Sequence, residues 1–138
     1  MDMPAAQAER PGIVLFAHGS RDPLWREPIE AVRERMAQQH PHLPVRCAYL
    51  ELCEPDLARA VAELLAQGVN DITVVPMFLG TGRHAREDLP RLVADLRQSH
   101  PGVAFALQRP VGEDPRMTAL MAAIAMEPGE NQAKESIS

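Results

Sequence analysis

Short apolar runs alternate along the chain with longer stretches in which apolar residues recur every three or four positions. The first run, Gly12-Ile13-Val14-Leu15-Phe16-Ala17, is almost wholly apolar and rich in β-formers, which reads as a strand buried on both faces. From Trp25 to Gln39, Ile29, Val32 and Met36 recur at helical spacing, with Pro28 tolerated in the first turn and His40-Pro41 as the stop. Val45 to Leu50 alternates only partly and predicts a less buried strand. Pro55 in a first turn opens a second helix, carried by Leu57, Val61, Leu64 and Leu65, and Gly68 ends it. Asp71 to Phe78 is a third, heavily apolar strand. Leu79-Gly80-Thr81-Gly82-Arg83-His84 predicts a loop, because its glycines weaken helix and strand alike. A third helix has Pro90 in its first turn and Leu89, Leu92, Val93 and Leu96 as its stripe, and His100-Pro101-Gly102 closes it. Val103 to Leu107 makes a fourth strand. Met117, Leu120, Met121 and Ile124 mark the last helix.

Four β-α units in succession imply an α/β fold, a parallel sheet with helices on both faces. Strands one and three, apolar throughout, belong in the centre, and the mixed strands two and four belong at the edges. The expected architecture is a single flavodoxin-like, doubly wound domain with strand order 2-1-3-4. In such sheets ligands sit beyond the carboxyl ends of the strands, where the order reverses, here between strands one and three. The domain is expected over 12–126, between a flexible N-terminal arm over 1–11 and a disordered polar tail over 127–138.

Composition narrows the function classes. Against 19 acidic residues stand 13 Arg and a single Lys, for a formal charge of −5. No basic excess is available to neutralise a phosphate backbone, so neither nucleic acid nor a membrane surface is an expected partner. No apolar run approaches the roughly 20 residues of a membrane-spanning helix, and the first residues lack the pattern of a secretory signal. A cytoplasmic protein is expected. Cys47 and Cys53 are too few and too widely spaced for a disulfide framework or a thiolate zinc site, and read as reduced, packed thiols.

Candidate chemistry lies at the residues that follow the strands. His18, Gly19, Ser20 and Arg21 follow strand one, and Glu51 and Glu54 follow strand two. Gly80, Gly82, Arg83 and His84 follow strand three, and Arg109, Gly112 and Glu113 follow strand four. His40 and His100 each precede a proline at a helix end, where an imidazolium suits the helix dipole, and they need no further role. His18 and His84 instead follow the two central strands and face one crevice. Taken singly, a histidine there need only bind loop carbonyls, Glu51 and Glu54 need only be solvated, and the arginines need only serve solubility. Taken together, two imidazoles and one or two carboxylates form a mixed N/O donor set suited to an exchangeable divalent metal. Arg21, Arg83, Arg86 and Arg109 around the same rim suit carboxylates. Loose metal binding, proton acceptance and carboxylate recognition fit metal insertion into an acidic macrocycle.

Other mechanisms lack their parts. There is no phosphate-binding G-x-x-x-x-G-K-[ST] loop and no G-x-S-x-G elbow, and Gly80-Thr81-Gly82 is a poor dinucleotide match. The order Ala17-His18-Gly19-Ser20-Arg21 places the arginine on the wrong side of the histidine for a histidine phosphatase. A phosphate-handling domain using His18 and Arg21, and a carrier that binds metal or tetrapyrrole without catalysis, remain the alternatives at this point.

Three blocks carry a resemblance: Ala17-His18-Gly19-Ser20-Arg21-Asp22-Pro23, Tyr49-Leu50-Glu51-Leu52-Cys53-Glu54-Pro55, and Val75 to His84 followed by Glu87-Asp88-Leu89-Pro90. In these the chain resembles the short sirohydrochlorin chelatases of the CbiX/SirB type, class II tetrapyrrole chelatases, over about residues 12–125. The resemblance implies that His18 accepts the pyrrole proton and binds metal and that His84 is the second ligand. It implies that Glu54 and Leu79, Gly80, Thr81, Gly82 and Arg83 contact the tetrapyrrole; Glu51, Arg21 and Arg109, at the same strand ends, are further candidates from their position alone. It also implies a homodimer and no organic cofactor, the divalent metal (Co²⁺, Fe²⁺ or Ni²⁺) being a substrate. Ala17 stands where the family commonly has glycine, and Arg83 is more charged than its usual counterpart.

Overall fold

The computed structural model describes residues 8–127. Strands β1 (Pro11–Ala17), β2 (Val45–Tyr49), β3 (Asp71–Pro76) and β4 (Ala104–Leu107) form one four-stranded sheet, ordered β2-β1-β3-β4. All pairs are parallel, with Leu15 opposite Cys47 on one side and Val75 on the other. Helices α1 (Glu27–Gln39), α2 (Leu57–Ala66), α3 (Arg83–Ser99) and α4 (Pro115–Met126) follow the strands in turn.

Alternation along the strands splits the core in two. Val14, Phe16, Ile72, Val74 and Phe105 pack with Leu57, Val61, Leu64 of α2 and Leu89, Val93 of α3 on one face. Leu15, Val45, Cys47 and Tyr49 pack with Ile29 and Met36 of α1 on the other. The order 2-1-3-4 stands, but burial does not follow the predicted ranking. Edge strand β2 is buried at four of its five positions, while β3 alternates between buried and half-buried. Helices cover β2 on both faces, so its mixed composition did not mean exposure.

Proline positions account for the main differences in boundaries. Pro23–Arg26 forms a 3-10 turn, capped by the Asp22 carboxylate, before α1 begins. Pro55 precedes α2 and does not enter it; Asp56 is the cap, accepting from the Arg59 amide at 2.8 Å. Pro90 lies inside α3, which starts at Arg83, seven residues before it. Arg83 and His84 are therefore helical, not loop. His40 and His100 are C-caps of α1 and α3, as their proline neighbours predicted.

At the N-terminal end, β1 already includes Pro11, and Asn70 holds the segment before it. The Arg10 amide donates to Asn70 Oδ1 at 2.8 Å and Asn70 Nδ2 donates to the Ala8 carbonyl at 3.0 Å. Of the arm expected over 1–11, residues 8–11 are held to the sheet in this way, and residues 1–7 lie outside the described residues. The same holds for 128–138 of the predicted tail.

Candidate functional site

The carboxyl ends of β1, β2 and β3 are laced together by main-chain hydrogen bonds. The Leu50 amide donates to the Ala17 carbonyl at 2.9 Å, the Glu51 amide to the His18 carbonyl at 3.1 Å, and the Met77 amide to the Phe16 carbonyl at 2.7 Å. Gly19 makes the first loop feasible. Its φ is +105°, and a Cβ there would overlap the Glu51 carbonyl. The loops after β1 and β2 are thereby interlocked backbone to backbone.

That interlock brings His18 and Glu51 side by side. His18 Nε2 lies 3.8 Å from Glu51 Oε2, both side chains being about half exposed (56 and 54 %). The imidazole also meets the Phe78 ring edge to face, with centroids 6.4 Å apart at 73°. A ring braced on one side by an aromatic and approached on the other by a carboxylate is placed to take up a proton.

Phe78 leads into the loop at Leu79–Gly82. Gly112, after β4, anchors it: the Gly112 amide donates to the Phe78 carbonyl at 2.9 Å, and a Cβ at Gly112 would run into the Leu79 backbone. Leu79 itself is 66 % exposed, and Gly80 and Gly82 face open space. The Thr81 hydroxyl is buried without a hydrogen-bond partner.

The other predicted residues spread around the rim. His84 stands exposed in the first turn of α3. Arg83 is exposed and pairs with Glu87 one turn on, at 3.4 Å. Arg21 and Arg109 are exposed and make no ion pair among the described residues. Glu54 lies toward the β2 edge, lining a cavity of ≈ 780 Å³ with Arg26, Arg33, Tyr49 and Arg59. Arg109 lines a second cavity, of ≈ 570 Å³, with Met117 and Leu120 at the start of α4. Among the described residues no group of three or more His, Cys, Asp or Glu side chains is gathered closely enough to hold a metal ion. The structure joins His18 with Glu51 and sets the imidazole against Phe78, which leads into the glycine loop, while His84 and Glu54 are exposed.

Phe78, Gly19 and Gly112 were not singled out for these roles by the sequence. The His18-Gly19 step carried the signal for one of them. Asp114 is a further rim residue: it caps α4 and holds Arg116 with paired contacts of 3.0 and 2.7 Å. That hydrogen bonding to Arg116 lowers its carboxyl to about 2. Burial raises the Cys47 thiol above its ordinary value, in keeping with a packed, unreactive cysteine.

The site is that of a doubly wound α/β domain, with an imidazole–carboxylate pair and an exposed glycine loop at its switch point. The CbiX family profile matches residues 12–127, and the chain belongs to that family. It is 37 % identical over 81 residues to a sirohydrochlorin cobaltochelatase of Methanopyrus kandleri, a match covering 59 % of this chain and 57 % of that relative. The first curated relatives are thus matched over less than two-thirds of their length. A structure described as a cobalamin (vitamin B12) biosynthesis CbiX protein from Marinobacter aquaeolei VT8 superposes with TM-score 0.77 at 37 % identity, over 88 % of this chain and 99 % of that one. SirB from Bacillus subtilis, solved with Fe³⁺, superposes with TM-score 0.71 at 27 % identity, over 88 % of this chain but 48 % of SirB.

Proposed function

We propose that this protein inserts a divalent metal, Co²⁺ or Fe²⁺, into sirohydrochlorin, serving cobalamin or sirohaem formation in the cytoplasm. The observation that carries this reading is the interlocked pair of His18 and Glu51 beside the Leu79–Gly82 loop. Membership in the CbiX family and the metals named for its relatives support it. No helix of the described residues is long and apolar enough to cross a membrane, which agrees with a soluble setting.

Insertion replaces two pyrrole protons by one dication, so the site must deliver a metal and accept two protons. In this reading the macrocycle docks over the exposed loop Leu79–Arg83, with Arg21 and Arg109 taking peripheral carboxylates and Glu54 contacting the ring from the β2 side. His18 and His84 hand over the metal; His18, with Glu51 beside it, then takes up one pyrrole proton, and the second passes to solvent water. A donor set without a closed three-ligand cluster suits a metal that must leave. The catalyst would work as a homodimer, with no organic cofactor.

Metal-free sirohydrochlorin mixed with Co²⁺ or Fe²⁺ tests the proposal, since its absorption bands shift as metal enters. Catalysed insertion by the parent chain, lost in His18→Ala while the thermal midpoint is kept, is the expected result. Binding of the macrocycle with no acceleration over the uncatalysed rate would mark a carrier and refute the proposal.

A further inference from the structure

Among the described residues, eight large apolar side chains are more than a third exposed. Val32 lies on α1, and Leu120, Ile124 and Met126 lie on α4. The other four gather at one end of the sheet: Leu24 and Trp25 follow β1, Leu52 follows β2 and Leu79 follows β3. Trp25 has a partner within the protein, its ring meeting that of Tyr49 edge to face with centroids 6.2 Å apart. Leu24, Leu52 and Leu79 belong to neither core cluster.

Leu52 differs from the other two in its backbone. Its φ is +70°, and among the described residues no other non-glycine residue has a positive φ. Glycine and asparagine adopt that conformation readily, whereas a bulky side chain in it is strained. A strained leucine needs a reason in its side chain, and the fold supplies none. Leu52 is 49 % exposed, while Leu50 and Cys53 on either side pack against the two cores. What adjoins Leu52 is the imidazole–carboxylate pair. The preceding residue, Glu51, donates its amide to the His18 carbonyl at 3.1 Å and sets its carboxylate 3.8 Å from His18 Nε2.

We infer that Leu52 is a substrate-binding residue whose side chain lies against the flat face of the bound macrocycle, and that its strained backbone is kept because it holds the leucine there. The inference rests on the chelatase reading above and adds a contact to it. A conjugated macrocycle with an acidic rim offers two chemistries, carboxylates at its edge and apolar surface on its faces. Arg21 and Arg109 suit the edge. An exposed leucine next to the proton-accepting pair suits a face, since docking removes apolar surface of both partners from water. Strain stored at a ligand site rather than in the core is the pattern expected of such a residue.

Three variants of the full chain, Leu52→Gly, Leu52→Asn and Leu52→Met, decide the matter by thermal unfolding and by titration with metal-free sirohydrochlorin. Leu52→Gly and Leu52→Asn relax the backbone, so their thermal midpoints should match or exceed the parent's. Both lose the apolar contact, so the macrocycle Kd should rise about tenfold. Leu52→Met keeps the apolar bulk and should bind like the parent. A leucine that only supports the fold gives the reverse pattern, lower midpoints and unchanged affinity. Parental affinity in Leu52→Gly or Leu52→Asn, or a lowered midpoint in both, would overturn the inference. Titration reads binding apart from insertion, which keeps the two readings separate. Parental insertion with unchanged affinity in Leu52→Gly refutes the leucine contact alone. Affinities that fall as expected, with no catalysed insertion by the parent, refute the chelatase assignment alone, and a parent that does not bind the macrocycle refutes both.

Discussion

Gly19→Ala is the most informative single perturbation of the site. Two costs can be worked out from the structure. At φ +105° a side chain is held in a sparsely populated region, which costs about 1–3 kcal/mol. The new Cβ would also overlap the Glu51 carbonyl, so the β1 and β2 loops must separate and the Glu51–His18 main-chain bond of 3.1 Å is lost. That bond contributes about 1 kcal/mol, for a total of roughly 2–4 kcal/mol. Domains of this kind have about 5–15 kcal/mol in all. The variant should therefore fold, with its urea midpoint lowered by roughly 1–2 M. Separation of the loops also carries Glu51 away from His18, and misplacement of about 1 Å in an active site costs up to ~100-fold in rate. Equilibrium urea unfolding and the sirohydrochlorin absorption assay read the two effects. Gly80→Ala is the control, because Gly80 faces open space at an unstrained φ, and its stability should stay within about 1 kcal/mol of the parent. A Gly19→Ala chain with parental midpoint and parental rate would refute the interlock.

Two further outcomes follow from the same geometry. Thr81→Val removes a buried hydroxyl that has no partner in the protein, so stability should hold or rise by about 1 kcal/mol. Calorimetric titration with metal-free sirohydrochlorin should show affinity about tenfold weaker, and a destabilised variant would mean the hydroxyl is already bonded. Asp114 is held at about 2 by Arg116, against 3.8 ordinarily. Its contribution to the fold is therefore complete above pH 3.8 and lost as the pH falls through about 2. Carboxyl NMR should find that low midpoint, moving up toward the ordinary value in Arg116→Gln, and an ordinary midpoint in the parent would contradict the paired contact.

Much of this was legible without coordinates. Apolar runs and helical stripes specify which segments become strands and helices, because each element buries the side chains that recur at its own period. The order of strands then follows, and with it the crevice where His18 and the glycine loop meet. Errors came where local signals have two meanings. Pro90 reads as a helix opener, yet the seven residues before it already form the helix. Mixed β2 reads as exposed, yet helices from both faces cover it.

The residues alone thus determine the architecture, the switch point and the family blocks that frame His18, Glu54 and His84, since these depend on periodicity and on chemistry carried by short segments. Only the tertiary structure decides that Glu51 is the carboxylate beside His18 and that at Gly19 and Gly112, not at Gly80 and Gly82, a side chain would run into backbone. It alone shows that α4 has no buried residue. The physical reason is the same in each case. Close approach of two backbones, or its failure, depends on segments far apart in the chain, and no local pattern records the distance between them.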